Sequence, residues 1–367
     1  MRKCHQIAIL GTVGVPGVYG GFETLAENIV RQHQGQGRPE GLTVYCSARA
    51  YPDRPRRFLS AGLRYLPLSA NGVQSIPYDI WSLFDAARRG TDTALLLGVS
   101  GALALPLLRL FPRGRRMRVV TNIDGVEWKR DKWRGLARLI LRLSERAAVR
   151  WSDVVVADNQ AIADHVAQTY GAGCHVIAYG GDHALATPPE AAADPQLPER
   201  YALALCRIEP ENNVAMILAA FAAMPDQPLV FVGNWSASDY GRSLRAAYAG
   251  RANLHLLDPV YEPARLRALR DRAWLYVHGH SAGGTNPSLV EMMHFAIPVL
   301  AHGCAFNRHT TEGLARYFTT SSELSETLPL IDAPSAAMIG ADMGRIARAR
   351  YTWEKIGGAY FALIGQR

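Results

Sequence analysis

Short apolar runs recur along the chain at residues 6–10, 43–46, 94–97, 118–121, 154–157 and 175–178, and longer segments of helical period separate them. That alternation predicts a parallel sheet covered by helices. A second series of runs follows at 201–206, 229–232, 254–257, 273–277 and 297–301. Between the two series, residues 183–200 (HALATPPEAAADPQLPER) break both periodicities with Pro and Ala and read as a linker. The pattern therefore predicts an α/β protein of two Rossmann-like domains, residues 1–183 and 184–350, followed by a last helix within 351–367. Ligands of such folds bind outside the carboxyl ends of the strands, and two consecutive units predict an interdomain cleft.

Composition narrows this picture. The chain has 367 residues, 49% of them hydrophobic, enough for two separate cores. No stretch approaches the roughly 18 apolar residues that a spanning helix needs, and MRKCHQIAILG leads into a strand instead of a signal-peptide pattern, so a cytoplasmic protein is expected. Cysteines at 4, 46, 174, 206 and 304 form no Cys-x-x-Cys pair, which supports neither a disulfide framework nor a zinc site. Residues 1–183 carry 24 Lys and Arg against 15 Asp and Glu, and the remainder 16 against 17, so all the positive excess lies in the first half. Such a surface suits a phosphorylated substrate or an anionic lipid. Nucleic acid is disfavoured, because no recognised binding motif accompanies the charge.

Four segments after strands carry candidate chemistry. The glycine-rich residues 11–23 (GTVGVPGVYGGFE) lead into a helix and read either as a binding loop that includes Gly20 and Gly21 or as a plain tight turn. Residues 121–133 (TNIDGVEWKRDKW) mix carboxylates, cations and two Trp, a combination suited to a sugar: Asp124, Glu127, Trp128 and Arg130 are the candidates, against a solvated salt-bridged loop. In residues 206–213 (CRIEPENN), Arg207 can fork onto phosphate oxygens, and with no Asp-x-Asp in the chain a diphosphate would be held without metal. In residues 278–294 (HGHSAGGTNPSLVEMMH), the amides of Gly283, Gly284 and Thr285 can form a phosphate nest. There Asn286-Pro-Ser288 starts a helix, and Glu291 suits the two hydroxyls of a ribose. His278 and His280 have metal-pair spacing but lack a nearby third ligand, so ordinary satisfied histidines are the better reading.

Arg207, the Gly-Gly-Thr-Asn-Pro-Ser-Leu-Val-Glu helix and the following 297–301 strand resemble the donor domain of GT-B glycosyltransferases of family 4. The N-terminal Tyr19-Gly-Gly-Phe-Glu-Thr24 and Asn122-Ile-Asp-Gly-Val-Glu-Trp-Lys-Arg130 resemble a subgroup in which bacterial polysaccharide rhamnosyltransferases are prominent. The resemblance implies retaining transfer of a sugar, best L-rhamnose from TDP-rhamnose, onto a lipid-diphosphate-linked saccharide. It implies an acceptor-binding N-terminal domain, a donor-binding C-terminal domain and a last helix that returns to the first. Two positions depart from the family: its usual first glutamate falls at Gly283 and its phosphate-binding lysine at Asn212, so only Arg207 and Glu291 carry over.

The mechanism expected on this basis holds the diphosphate on Arg207 and residues 283–286, the ribose on Glu291, and the base beside Val260 and Tyr261. Ser288 and Asn212 belong to the same expected donor site. Asp124 and Glu23 would orient the acceptor or balance an oxocarbenium ion. Arg134, Arg138, Arg142, Arg146 and Arg150 recur every four residues beside Leu136, Leu139, Ile140 and Leu143, and Arg109, Arg113, Arg115, Arg116 and Arg118 lie around Leu110 and Phe111. These read as a surface resting on an anionic membrane, or as the solvated outer face of a helix. Two other functions compete. An NAD-dependent nucleotide-sugar enzyme would need a Gly-x-Gly-x-x-Gly fingerprint, which the chain lacks. A non-catalytic sugar-nucleotide or lipid-binding protein is motivated by Gly283.

Overall fold

The computed structural model describes residues 4–17, 20–125, 128, 135–190 and 196–365. By internal contacts the chain divides into one unit of Met1–Ala178 with Trp353–Arg367 and a second of Tyr179–Thr352. Tyr19, Glu127, Arg130 and Arg134, all singled out above, lie outside the described residues.

In the first unit the strands are β1 (Gln6–Leu10), β2 (Gly41–Ser47), β3 (Arg57–Phe58), β4 (Ala61–Leu66), β5 (Thr93–Leu97), β6 (Arg118–Asn122), β7 (Val154–Ala157) and β8 (His175–Val176). They form one sheet in the order β3-β4-β2-β1-β5-β6-β7-β8. Every neighbouring pair is parallel except β3 with β4. The sequence pattern finds the central strands because both their faces are covered: Ile7, Ile9, Val44, Leu95, Val120 and Val156 are fully buried. It misses β4, whose middle four residues are half-buried and include Arg64 and Tyr65, which bond Asp85 and the Pro55 carbonyl.

Among the described residues, the helices that follow these strands in sequence are α1 (Gly21–Gly35), α2 (Ser75–Arg89), α3 (Leu105–Leu108), α4 (Pro112–Arg116), α5 (Gly135–Trp151) and α6 (Gln160–Tyr170). In α1 the apolar positions Leu25, Ala26, Ile29 and Val30 fall at helical spacing and are buried. The second unit adds α7 (Val214–Ala222), α8 (Asp239–Tyr248), α9 (Pro263–Asp271), α10 (Pro287–Met293), α11 (Ala305–Thr310), α12 (Ser321–Thr327) and α13 (Ala333–Arg350). Its strands are β9 (Tyr201–Leu205), β10 (Leu229–Val232), β11 (Leu254–Leu257), β12 (Ala273–His278), β13 (Val299–His302) and β14 (Arg316–Phe318). They form a wholly parallel sheet in the order β11-β10-β9-β12-β13-β14. The last helix, α14 (Trp353–Ile364), packs on α1 in the first unit.

The stretch expected to be a linker behaves otherwise where it is described. The division between units falls at Ala178, before it begins. Glu190 N–H donates to the Ala264 carbonyl at 3.0 Å, and Arg267 reaches the Leu185 carbonyl at 2.8 Å. Pro and Ala break the periodicities there because the chain runs irregularly along the second unit, held by backbone hydrogen bonds.

Candidate functional site

Each sheet has one point where the strand order reverses, and the loops leaving the carboxyl ends of the two strands there splay apart to leave room for a ligand. In the first unit this point is β1/β5, and in the second it is β9/β12. The second brings together two of the segments picked from sequence, residues 206–213 after β9 and 279–286 after β12.

Those two loops are stitched together. Ser281 donates through its backbone N–H (3.0 Å) and its hydroxyl (2.9 Å) to the Glu211 carbonyl, and Asn213 Nδ2 donates to the Gly279 carbonyl at 2.8 Å. Position 279 admits no side chain, since a Cβ there would lie 2.2 Å from the Asn212 carbonyl oxygen. Gly283 has φ +113, a conformation open to glycine and strained for a residue with a side chain. Arg207 is half-exposed and has Glu209 as a loose ionic neighbour at 3.9 Å. Asn212, by contrast, is buried and turns its amide back to the Arg207 carbonyl at 2.7 Å, so it closes the turn that presents Arg207.

The helix α10 begins as its sequence predicts. Asn286 caps it, accepting from Ser288 N–H at 3.1 Å with Pro287 in the first turn. Ser288 Oγ also donates to Asn286 at 2.7 Å and accepts from Tyr276 at 2.9 Å, so these two side chains mainly build the loop. Glu291 is not an exposed helix residue: its side chain is 12% exposed, one oxygen meets Arg270 from α9 and the other lies 3.3 Å from His183 Nε2. Burial pushes its pKa up, but Arg270 and then His183 outweigh burial and hold it below the usual glutamate value, so the carboxylate stays charged. Val260 is buried and Tyr261 exposed in the loop after β11, two strands from β9.

His278 is fully buried, with its ring stacked on His280 at 4.4 Å. Burial, then the neighbouring His280 and His302, drives its pKa well below 6.5, so it is neutral at physiological pH. Among the described residues, no group of three or more His, Cys, Asp or Glu side chains could hold a metal ion.

At the carboxyl edge of the first sheet, Gly11 takes φ +81 and sits so close to β5 that a Cβ would lie 2.0 Å from the Leu97 carbonyl oxygen. Glu23 reaches back from α1 and accepts from Thr12 Oγ1 (3.1 Å) and Val13 N–H (2.8 Å); a Cβ at Gly20 would meet its second oxygen. Its position is that of a brace for the glycine loop, and Gly21 is the first residue of the helix it belongs to. Asp124 follows β6 in a left-handed conformation, φ +59, which costs a non-glycine residue about 1 kcal/mol and concentrates at functional sites. Its N–H donates to Asn122 Oδ1 at 2.9 Å, and Asn122 in turn donates to the Tyr360 hydroxyl at 2.7 Å. Trp128, expected to stack on a sugar, instead donates its indole N–H to buried Glu145 at 3.0 Å, with Arg142 over its ring. The physical reason is Glu145: a buried carboxylate needs donors, and Trp128, His165 and Tyr170 supply them.

Sequence reading gave no site role to Arg270, His183 or Tyr360, and Asn122 entered only as part of a motif. Only Asn122 carried a local signal, an Asn two residues before Asp-Gly at a strand end, where such side chains fold onto the backbone. The others join the sites through contacts distant in sequence.

No curated protein sequence matches the chain. Residues 4–182 match the family described as "Domain of unknown function (DUF1972)", slightly less than half of the chain. Among solved structures, a sucrose-phosphate synthase from Thermosynechococcus elongatus superposes with a TM-score of 0.78 at 16% identity, covering 98% of each chain. HepE of Anabaena, in complex with UDP-glucose, gives 0.71 at 14% identity over 98% of this chain and 99% of that one. A putative UDP-N-acetylglucosamine 2-epimerase from Listeria monocytogenes gives 0.62 at 13% identity over 99% and 96%. At these identities the likeness speaks for architecture, and with both sheets described above it shows that the chain has the GT-B fold of two Rossmann-like α/β domains.

Proposed function

We propose that this chain is a glycosyltransferase that takes a sugar from a nucleoside diphosphate donor, with the donor held in the second unit and the acceptor in the first. The observation that carries this reading is the loop pair at the β9/β12 switch point, where a half-exposed Arg207 and the glycine loop 283–286 accompany the charged Glu291. Arginine pairs with diphosphate oxygens, loop amides add donors, and a carboxylate kept ionised in a buried setting suits the paired hydroxyls of a ribose. HepE, of the same fold, is complexed with UDP-glucose.

As the sugar–phosphate bond breaks, charge grows on the diphosphate, and Arg207 with the loop amides stabilises it with no metal in the role. In a retaining front-face reaction the departing phosphate takes the acceptor proton, while Asp124 orients the acceptor hydroxyl or balances the oxocarbenium ion. The resemblance favours TDP-rhamnose as donor and a lipid-diphosphate-linked saccharide as acceptor.

A membrane-linked acceptor is supported by the surface of the first unit. Leu107, Leu110 and Phe111 around α3 and Leu136, Leu139 and Leu143 on α5 are all exposed, and α3 packs along α5. Within 103–116 and 135–151 the acidic residue is Glu145, which is buried, so the exposed charges there are all arginines. A shallow groove of about 440 Å³ beside Trp81, Phe84, Arg88 and Arg89 adjoins this face, where Phe84 meets Phe111 edge to face. Leucines ringed by arginines fit an anionic bilayer, which supports a peripheral position on the membrane. Among the described residues no helix is long and apolar enough to cross it.

Calorimetry with UDP, GDP and TDP in EDTA tests the reading. A nucleotide should bind without metal, and Arg207→Ala should weaken it at least tenfold; absence of binding by all three would sink the proposal. The likeness to an epimerase gives a second reading, isomerisation of the donor sugar without transfer. Chromatography of the products separates them, since transfer releases nucleoside diphosphate and isomerisation does not.

A further inference from the structure

The last helix contributes a side chain to the site of a residue more than two hundred positions earlier. Tyr360 on α14 is fully buried, and its hydroxyl accepts from Asn122 Nδ2 at 2.7 Å. Asn122 is itself fully buried at the end of β6, and its Oδ1 accepts the Asp124 N–H at 2.9 Å. An amide side chain has one donor end and one acceptor end, so the Asp124 N–H fixes which end faces it and the Tyr360 hydroxyl must take the other. That leaves the hydroxyl proton for an acceptor. Two acidic residues act on Tyr360: Asp158, buried at the end of β7, and Asp124. Burial first, and these two carboxylates with it, hold the Tyr360 pKa far above its ordinary value, although the Asn122 contact works the other way. The hydroxyl therefore keeps its proton and remains a donor.

We infer that Tyr360 and Asn122 are positioning residues for Asp124, and that α14 sets the left-handed turn in which the Asp124 carboxylate works. The inference rests on the assignment of Asp124 to the reacting centre. A free-standing turn would let residue 124 relax to an extended or right-handed backbone, because the left-handed region remains the costlier one for an L residue, Asp included. The Tyr360–Asn122 pair removes that freedom from inside the core, where neither partner can exchange its hydrogen bond for water.

Tyr360→Phe keeps the ring and removes the hydroxyl, and it is compared with wild type, Asp124→Ala and the double variant, all as full-length chains. In hydrogen exchange, which needs no substrate, the Asp124 amide of Tyr360→Phe should exchange about tenfold faster, with amides of the central strands unchanged. Unchanged exchange at Asp124 overturns the inference, and so does uniform acceleration across the sheet, which would mark Tyr360 as packing alone. In turnover, read as nucleoside diphosphate released from TDP-rhamnose and from UDP-glucose, Tyr360→Phe should lower kcat about tenfold at constant donor KM. It should add nothing to the loss in Asp124→Ala. A further loss in the double variant overturns the coupling. If Asp124→Ala keeps full turnover, the assignment of Asp124 fails and takes this inference with it; if Asp124→Ala is impaired and Tyr360→Phe is not, only the inference fails.

Discussion

Two buried carboxyl groups show how differently one chemistry is used. Asp79 on α2 is 4% exposed, and burial alone drives its pKa well above 3.8. In the unfolded chain it ionises near the ordinary aspartate value of 3.8, so from there up to its folded pKa the unfolded state binds fewer protons and stability falls as pH rises. Asp79→Asn should therefore raise Tm at pH 7 and by less at pH 4; a gain independent of pH would show that charge is not the cause. Glu291 has the opposite sign. Its folded pKa is depressed, so its contribution is full above the ordinary glutamate pKa and is lost as pH falls through the folded value. Glu291→Ala would leave Arg270 buried and unpaired, at a cost of roughly 3–5 kcal/mol. Glu291→Gln, which keeps an acceptor for Arg270, is the better binding probe and should weaken nucleotide binding while Tm falls much less than in Glu291→Ala. Sequence pattern marks Glu291 because Leu289, Val290, Met292 and Met293 surround it; it gives no sign of Arg270 or His183, which arrive from other elements.

Among the elements, α5 departs furthest from the usual pattern of a helix on a sheet. Its buried residues are Ser144, Glu145 and Ala148, while Leu136, Leu139 and Leu143 face outward. Each exposed leucine forgoes about 1.5–3 kcal/mol of burial in the isolated chain, which a bilayer would supply. Flotation with anionic vesicles should recover the protein, and Leu136→Ser with Leu139→Ser should reduce recovery several-fold without lowering Tm. Equal recovery with neutral vesicles would argue against charge-guided docking. The four-residue spacing of the arginines was legible in the sequence. That Glu145 is withdrawn from this face by Trp128, His165 and Tyr170 was not.

For the molecule as a whole, α14 is the test of how the first unit holds together. Ile356, Tyr360, Phe361 and Ile364 are buried, Gly357 lies against Gln32 of α1, and His5 Nε2 is 3.2 Å from the Ile364 carbonyl. Removing residues 353–367 exposes α1 and β5 and leaves Asn122 without its hydroxyl partner. In calorimetry the truncated chain should lose or strongly lower one transition, that of the first unit, and keep the other. An unaltered thermogram would mean that α14 is an appendage.

The sequence by itself determined the α/β class, the two strand series and the glycine and Asn-Pro-Ser starts of the loops, because strand periodicity, φ limits and caps are properties of neighbouring residues. It also marked Arg207 and Asp124, each just past a strand end, and Glu291 within a short helix. Only the tertiary structure decided what each of these touches. Asn212 was spent on closing a turn, Glu23 on bracing a loop and Trp128 on satisfying Glu145, while Arg270, His183 and Tyr360 entered from afar. The reason is that a buried polar group must find its partner in the fold, and that choice depends on which strands lie side by side, which no local pattern records.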